Sequence, residues 1–459
     1  MKLHPISLFL LLALGALSAS AQALTGDWSG RLDAGQARLS LTFHFTLHEG
    51  RYTGSMDSPD QGAYGIEADS VVTDGHRLSV CLSKAGIRYE ASLEGDSLLR
   101  GTFTQGTARL PLDLRRVDLL AMRPQTPRPP FPYRSEEVSI TNPQDGTTLA
   151  GTLTLPAGGQ PSRAVILLTG SGTQDRDETL FHHRPFFVLA DYLTRRGIAV
   201  LRCDDRGAGH STGNPSATTT RTAADDAACM IAYLKTRPEI DSTRIGLLGH
   251  SEGGAIAFLT AAHCPEVDFV VSMAGPGVRG DSILLWQNTV MSRLEGMPEN
   301  KIASLRQLLR EVYALAESGL TGEEVIERAT RLYEQQMGNK AITAAQRQQL
   351  RRQMSVFASP WLRYFLRFDP QDILPGVECH VLALNGDRDT QVEAASNLEG
   401  IRQGLREKPG RQVTVKCYPE LNHLFQHCTT GLFTEYGQIR ETISPEVLAD
   451  IAAWLNALD

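Results

Sequence analysis

Six runs of apolar or nearly apolar sequence constrain this chain more than any other feature. They are Ala164–Thr169, Ile198–Cys203, Ile245–Leu248, Phe269–Met273, Val381–Leu384 and Val413–Cys417. A strand with one wet face alternates apolar and polar residues. A strand that is apolar throughout must be covered on both faces, as in a parallel sheet sandwiched by helices. Amphipathic stretches near Phe186–Arg196, Ala223–Thr236, Gly253–His263, Ala394–Leu405 and Pro445–Leu458 lie between or after the runs. The alternation predicts a doubly wound α/β domain, entered through a hairpin of Val138–Ile140 and Leu149–Leu155.

Two regions depart from this pattern. From 280 to 369 no strand-like run occurs, only helix-forming sequence rich in Leu, Glu, Gln and Arg, which reads as a helical lid inserted between two sheet strands. Within it Leu305, Leu308, Val312 and Leu315 are spaced for one helix face, a candidate wall for a substrate pocket. From Trp28 to Arg116 the period is two instead. In Leu39-Ser40-Leu41-Thr42-Phe43-His44-Phe45-Thr46-Leu47 the apolar residues take one face, and similar short runs recur between turn residues such as Asp74-Gly75. That predicts a small all-β meander, closed or partly closed as a barrel. Five prolines between Met122 and Tyr133 make the stretch between the two regions an extended spacer. The expected organisation is a leader at 1–23, a β-domain at 24–120, a linker at 121–135 and an α/β domain at 136–459.

The leader carries Lys2, the apolar segment Leu8–Leu17 and two overlapping A-x-A patterns at Ala19 to Ala23, the layout of a cleavable export signal. A secreted or periplasmic protein with no membrane span is expected. The net charge of -7, from 45 Lys and Arg against 52 Asp and Glu, recommends no nucleic-acid partner. Seven scattered cysteines form no framework and read mainly as core thiols.

The pattern G-x-S-x-G occurs twice. Gly209-His210-Ser211-Thr212-Gly213 leads into Asn214-Pro215, where no helix can start at once. Gly249-His250-Ser251-Glu252-Gly253 follows the strand Arg244–Leu248 and runs directly into the helix-forming Gly254–Ala262. A nucleophile elbow needs that strand–turn–helix context, which selects Ser251 and leaves Ser211 a structural loop role. The other partners follow in the chain order of the α/β-hydrolase fold. Asp387 and Asp389 leave the end of a strand and compete for the acid that orients the base. His423, in the loop after the last sheet strand, is the expected base, with His427 as runner-up. Backbone amides of Glu252, directly after the nucleophile, and of Ser171, in the loop Gly170-Ser171-Gly172-Thr173, are the expected oxyanion donors. Asp204-Asp205-Arg206 and Asp175-Arg176-Asp177 have no His or Cys at ligand spacing and read as ion-paired loops, so no metal or cofactor is assigned.

Four segments, Leu168–Asp177, Asp205–Gly213, Gly249–Gly253 and Leu421–His423, resemble the EstD-type bacterial carboxylesterases. The resemblance covers about residues 136–459 and extends to the preceding β-domain of secreted relatives. It implies hydrolysis of short-acyl esters without a cofactor, and its Gly-x-x-Asp pattern assigns the acid to Asp389. Thr173 stands where that family commonly has proline. The residues themselves imply acyl transfer from a small-molecule substrate to water through an acyl-enzyme. A serine peptidase acting on short peptides would use the same triad, and residues 24–120 alone are compatible with a glycan- or lipid-binding module.

Overall fold

The computed structural model describes residues 24–35, 38–48, 50–61, 63–158, 160–336 and 342–458; the leader segment lies outside them. The chain divides into two compact units. One comprises the described residues up to Pro124 together with Leu180–His182, and the other comprises Gln125–Thr179 and the chain from His183 onward.

The first unit is an antiparallel sheet of nine strands: β1 (Gly26–Asp33), β2 (Arg38–His48), β3 (Arg51–Ser58), β4 (Ala63–Glu67), β5 (Ser70–Thr73), β6 (Arg77–Leu82), β7 (Ile87–Glu94), β8 (Leu98–Gln105) and β9 (Ala108–Val117). Their order is β4-β3-β2-β1-β9-β8-β7-β6-β5. The two edge strands are consecutive in the chain, joined only by Ala68 and Asp69, so the sheet curls back on itself as a partly closed barrel. The period-two pattern decides what fills it. Trp28, Leu41, Phe43, Phe45, Met56 and Tyr89 are all buried in its core. The apolar stretch Ile66–Val72 is divided between β4 and β5 at Ala68-Asp69, and β6 shows the same alternation in its burial.

The second unit is an eight-stranded sheet of β10 (Arg134–Thr141), β11 (Thr148–Leu155), β12 (Ser162–Leu168), β13 (Ala199–Cys203), β14 (Ile240–His250), β15 (Phe269–Met273), β16 (His380–Gly386) and β17 (Val413–Tyr418). Its order is β10-β11-β13-β12-β14-β15-β16-β17; β11 pairs antiparallel with both β10 and β13, and the six strands from β13 across to β17 run parallel to one another. This is the mostly parallel, doubly wound sheet of the α/β-hydrolase fold. The continuous apolar runs are explained strand by strand. Along β12, Ala164, Ile166 and Leu168 enter the core on one face, and Val165 and Leu167 enter the core on the other. Helices Pro185–Thr194 and Pro445–Ala457 cover the second face, and Thr220–Lys235, Glu252–Ala261 and Ala394–Gly404 the first.

Between β15 and β16 the insertion folds into helices Gly280–Leu294, Glu299–Glu317, Gly322–Gln336, Ala344–Met354 and Pro360–Arg367. They enclose a small core of their own containing Leu308, Val312, Tyr313, Val325, Ala329 and Leu366. The apolar face carrying Leu308 and Val312 is therefore spent on packing within the insertion, and is not the expected pocket wall. No described helix is long and apolar enough to cross a membrane.

Candidate active site

β14 runs between β12 and β15 and ends where Ser251 turns the chain at φ 55° and ψ -123°. Helix Glu252–Ala261 begins at the next residue. A left-handed φ is uncommon outside glycine and persists where surrounding structure enforces it. Here the Ser251 amide donates to Met273 O of β15 at 2.8 Å. Both motif glycines are needed for close approach: a Cβ on Gly249 would lie 1.9 Å from Gly253 O, and one on Gly253 would lie 2.1 Å from Leu168 O. The hydroxyl-bearing residue is thus lifted onto a sharp corner at the carboxyl end of the sheet.

The second motif copy is built differently. Ser211 is buried, its Oγ donating to Asp204 O at 2.8 Å and accepting from Ala150 N at 2.9 Å. It stitches a loop to β11.

Beyond β16, the two candidate aspartates part ways. Asp389 Oδ2 lies 2.7 Å from His423 Nδ1, and its Oδ1 accepts the amides of Gln391 and Val392 at 2.7 and 2.9 Å. Asp387 accepts the amide of Glu420 at 2.7 Å and acts as a turn clip. Of the two histidines, His423 is buried, whereas His427 is exposed and paired with Glu441. With Nδ1 committed to Asp389, Nε2 is the nitrogen of His423 available for proton transfer.

A second histidine ties these parts together, and the sequence reading did not single it out. His250, the residue before Ser251, is buried with its Nε2 2.9 Å from His423 O and its ring centroid 4.8 Å from that of His423. Its Nδ1 lies 2.9 Å from Glu178 Oε1, and the same oxygen accepts the amide of Gly170 at 2.8 Å. Burial opposes charge on the His250 ring, but the Glu178 carboxylate, with the His423 carbonyl and Asp389, holds the pKa above the ordinary value. One buried pair thus joins the elbow, the base loop and the Gly170 loop. His250 occupies the first variable position of the motif, a usable signal; Glu178 sits in a loop with no pattern to reveal it.

Because the Gly170 amide is taken by Glu178, the next amide in that loop is that of exposed Ser171. The Glu252 amide opens the elbow helix. The Glu252 side chain is buried, with Oε1 accepting from Thr220 Oγ1 at 2.6 Å and Oε2 from Trp361 Nε1 at 2.7 Å. Burial raises its pKa, partly offset by hydrogen bonds from Thr220, Ser171 and Trp361. Beside these residues lies a cavity of 490 Å³ whose wall includes Ser171, Glu252, Ile256, Ser359, Trp361 and Asp205. The insertion therefore reaches the cavity through Ser359 and Trp361. Asp205 accepts Thr169 Oγ1 and the Gln174 amide, both at 2.8 Å, and burial pushes its pKa up to about 7. Asp204 and Arg206 are ion-paired, to Arg176 and Asp226 respectively, whereas Asp205 is held by hydrogen bonds alone.

The chain is similar to Esterase EstD of Thermotoga maritima, with 27% identity over 314 residues, 67% of this chain and 65% of that protein. It is also similar to the uncharacterized protein YfhR of Salmonella typhimurium, with 31% identity over 135 residues, 29% of this chain and 43% of that one. It thus spans less than two thirds of the length of either relative. A solved structure of the Pyrococcus furiosus esterase Pf2001 aligns with 18% identity and a TM-score of 0.44, covering 71% of this chain and 91% of that one. The profile of one family, the serine aminopeptidases S33, matches residues 181–427, a span holding the elbow, Asp389 and His423. The chain belongs to the serine aminopeptidase S33 family of α/β hydrolases.

Proposed function

We propose that the chain is a serine carboxylesterase acting on short-acyl esters through Ser251, His423 and Asp389. The observation that carries this reading is the buried Asp389–His423 pair, 2.7 Å across, whose imidazole lies 4.8 Å from the ring of His250, the residue preceding Ser251. In the proposed cycle His423 Nε2 takes the Ser251 hydroxyl proton as Oγ bonds to the ester carbonyl carbon. The tetrahedral oxyanion collects hydrogen bonds from the backbone amides of Ser171 and Glu252. Collapse breaks the carbon–oxygen bond to the alcohol, which leaves with the proton from His423. Water then attacks the acyl-enzyme, His423 takes its proton, and the acid departs as Oγ is reprotonated. Asp389 keeps the Nδ1 proton in place and stabilises the imidazolium.

The family's peptidase name supports a second reading, cleavage of a residue from a peptide amine terminus. That activity requires an anionic clamp for the ammonium. Four carboxyls line the cavity. Asp204 and Asp226 are ion-paired to Arg176 and Arg206, each of the four oxygens of Glu252 and Asp205 already accepts a hydrogen bond, and burial favours the neutral form of these last two. This argument favours esters. Turnover of p-nitrophenyl acetate, butyrate and octanoate should exceed that of aminoacyl p-nitroanilides; faster anilide cleavage would reverse the order of the two readings. Residues 1–23 are proposed as an export signal, so the exported chain should begin after Ala21 or Ala23 on amino-terminal sequencing, and an intact Met1 would contradict it.

A further inference from the structure

We propose that His44, Asp57 and His182 form a binding site for one divalent transition-metal ion, Zn2+ foremost, in the first unit. The strand register creates the first part of it. Asp27 of β1 pairs directly with His44 of β2, and Asp57 of β3 lies diagonally across from His44, so all three side chains share the face opposite Phe43, Phe45 and Met56. Asp57 is buried. His182 arrives from the Leu180–His182 segment of the same unit.

The spacing suits a small ion. In tetrahedral coordination with Zn–N and Zn–O bonds of about 2.0–2.2 Å, neighbouring ligand atoms lie about 3.3 Å apart. Here His44 Nε2 is 2.9 Å and His182 Nδ1 is 3.4 Å from the same oxygen, Asp57 Oδ2, and the three donor groups hold atoms all within 4.8 Å of one another. Two imidazoles and one carboxylate are a borderline donor set that Zn2+ takes with a fourth position left for water.

The supporting contacts are those a metal site requires. Asp27 Oδ1 lies 2.7 Å from His44 Nδ1, and with the proton held there Nε2 would be the nitrogen that takes the ion. The Gly65 amide donates to Asp57 Oδ1 at 2.7 Å, leaving Oδ2 for the ion. The segment bearing His182 is held in an unfavourable backbone conformation, with φ 50° at Phe181 and 62° at His182. The Phe181 amide donates to Tyr64 Oη at 2.8 Å, and the Arg123 guanidinium donates to Phe181 O at 2.8 and 3.2 Å. Simple hydrogen bonding by one surface histidine would need neither the third donor nor this bracing. With two carboxylates beside the site, a dication is charge-compensated.

Dialysis of the full, untagged chain against buffers holding nanomolar free Zn2+, followed by elemental analysis, should yield one bound ion per chain. Co2+ should give the visible absorption of a four-coordinate site. Asp57→Asn and His182→Ala should each abolish both signals, Asp27→Asn should weaken binding by about 10- to 100-fold, and His76→Ala, on an exposed residue elsewhere in the unit, should change neither. His182→Ala lies outside the strands, and unchanged circular dichroism verifies that it folds. Absence of a stoichiometric ion in wild type, or binding unaffected by both His182→Ala and Asp57→Asn, would overturn the proposal.

Discussion

Asp387 and Asp389 leave the same strand two residues apart, yet one orients an imidazole and the other clips a turn. Asp389→Asn should therefore lower turnover by about 10⁴-fold, since the amide favours the wrong His423 tautomer. Asp387→Asn should cost far less, and steady-state kinetics on p-nitrophenyl acetate compare the two. Chain order and turn context made Ser251 and His423 legible in the sequence. Loop position alone left both aspartates open, and only the family pattern pointed to Asp389; in the structure the direction of each side chain distinguishes them. Glu178 was equally hidden, since its partners Gly170 and His250 lie on two other loops. Asp205 yields a separate test. Its folded pKa of about 7 stands above the ordinary 3.8, so across that window the folded state holds a proton that the unfolded chain has lost. Stability contributed by that proton is full below the lower value and is lost as pH rises through the upper one. The midpoint of thermal unfolding should fall between about pH 5 and about pH 8 in the wild type, and fall less in Asp205→Asn. Equal falls would remove Asp205 from the account.

Sheet strands and their flanking helices were legible because a run buried on both faces cannot be mistaken for a half-wet one. The insertion was legible as helices but not in its role. Spacing showed that Leu308 and Val312 share a face, and only packing shows that this face meets Tyr313, Val325 and Leu366 within the insertion. Pocket contact falls instead to Trp361, stacked on Phe365 at 5.7 Å and bonded to Glu252. Trp361→Ala should thus change the ratio of kcat/KM for octanoate against acetate esters by at least about tenfold, the scale of a few methylenes in an apolar pocket. An unchanged ratio would mean that this cavity does not hold the acyl chain.

Hydrophobic cores form within each unit, one in the first and several in the second, without covalent cross-links: all seven cysteines are free thiols. Their environments range from buried Cys203, whose pKa burial pushes up to about 12, to exposed Cys417 on an edge strand, which its place in the run Val413–Cys417 had put among the core thiols. Denaturing alkylation without reductant should modify seven thiols, and dithiothreitol should leave the thermal midpoint unchanged; a mass shift on reduction would contradict this. The central claim, a strained serine at the head of the elbow helix served by one histidine, is tested most directly by mapping a fluorophosphonate adduct. Mass spectrometry of the labelled wild type should place a single adduct on Ser251, with labelling lost in Ser251→Ala and kept in Ser211→Ala. An adduct on Ser211, or labelling that survives in Ser251→Ala, would contradict it.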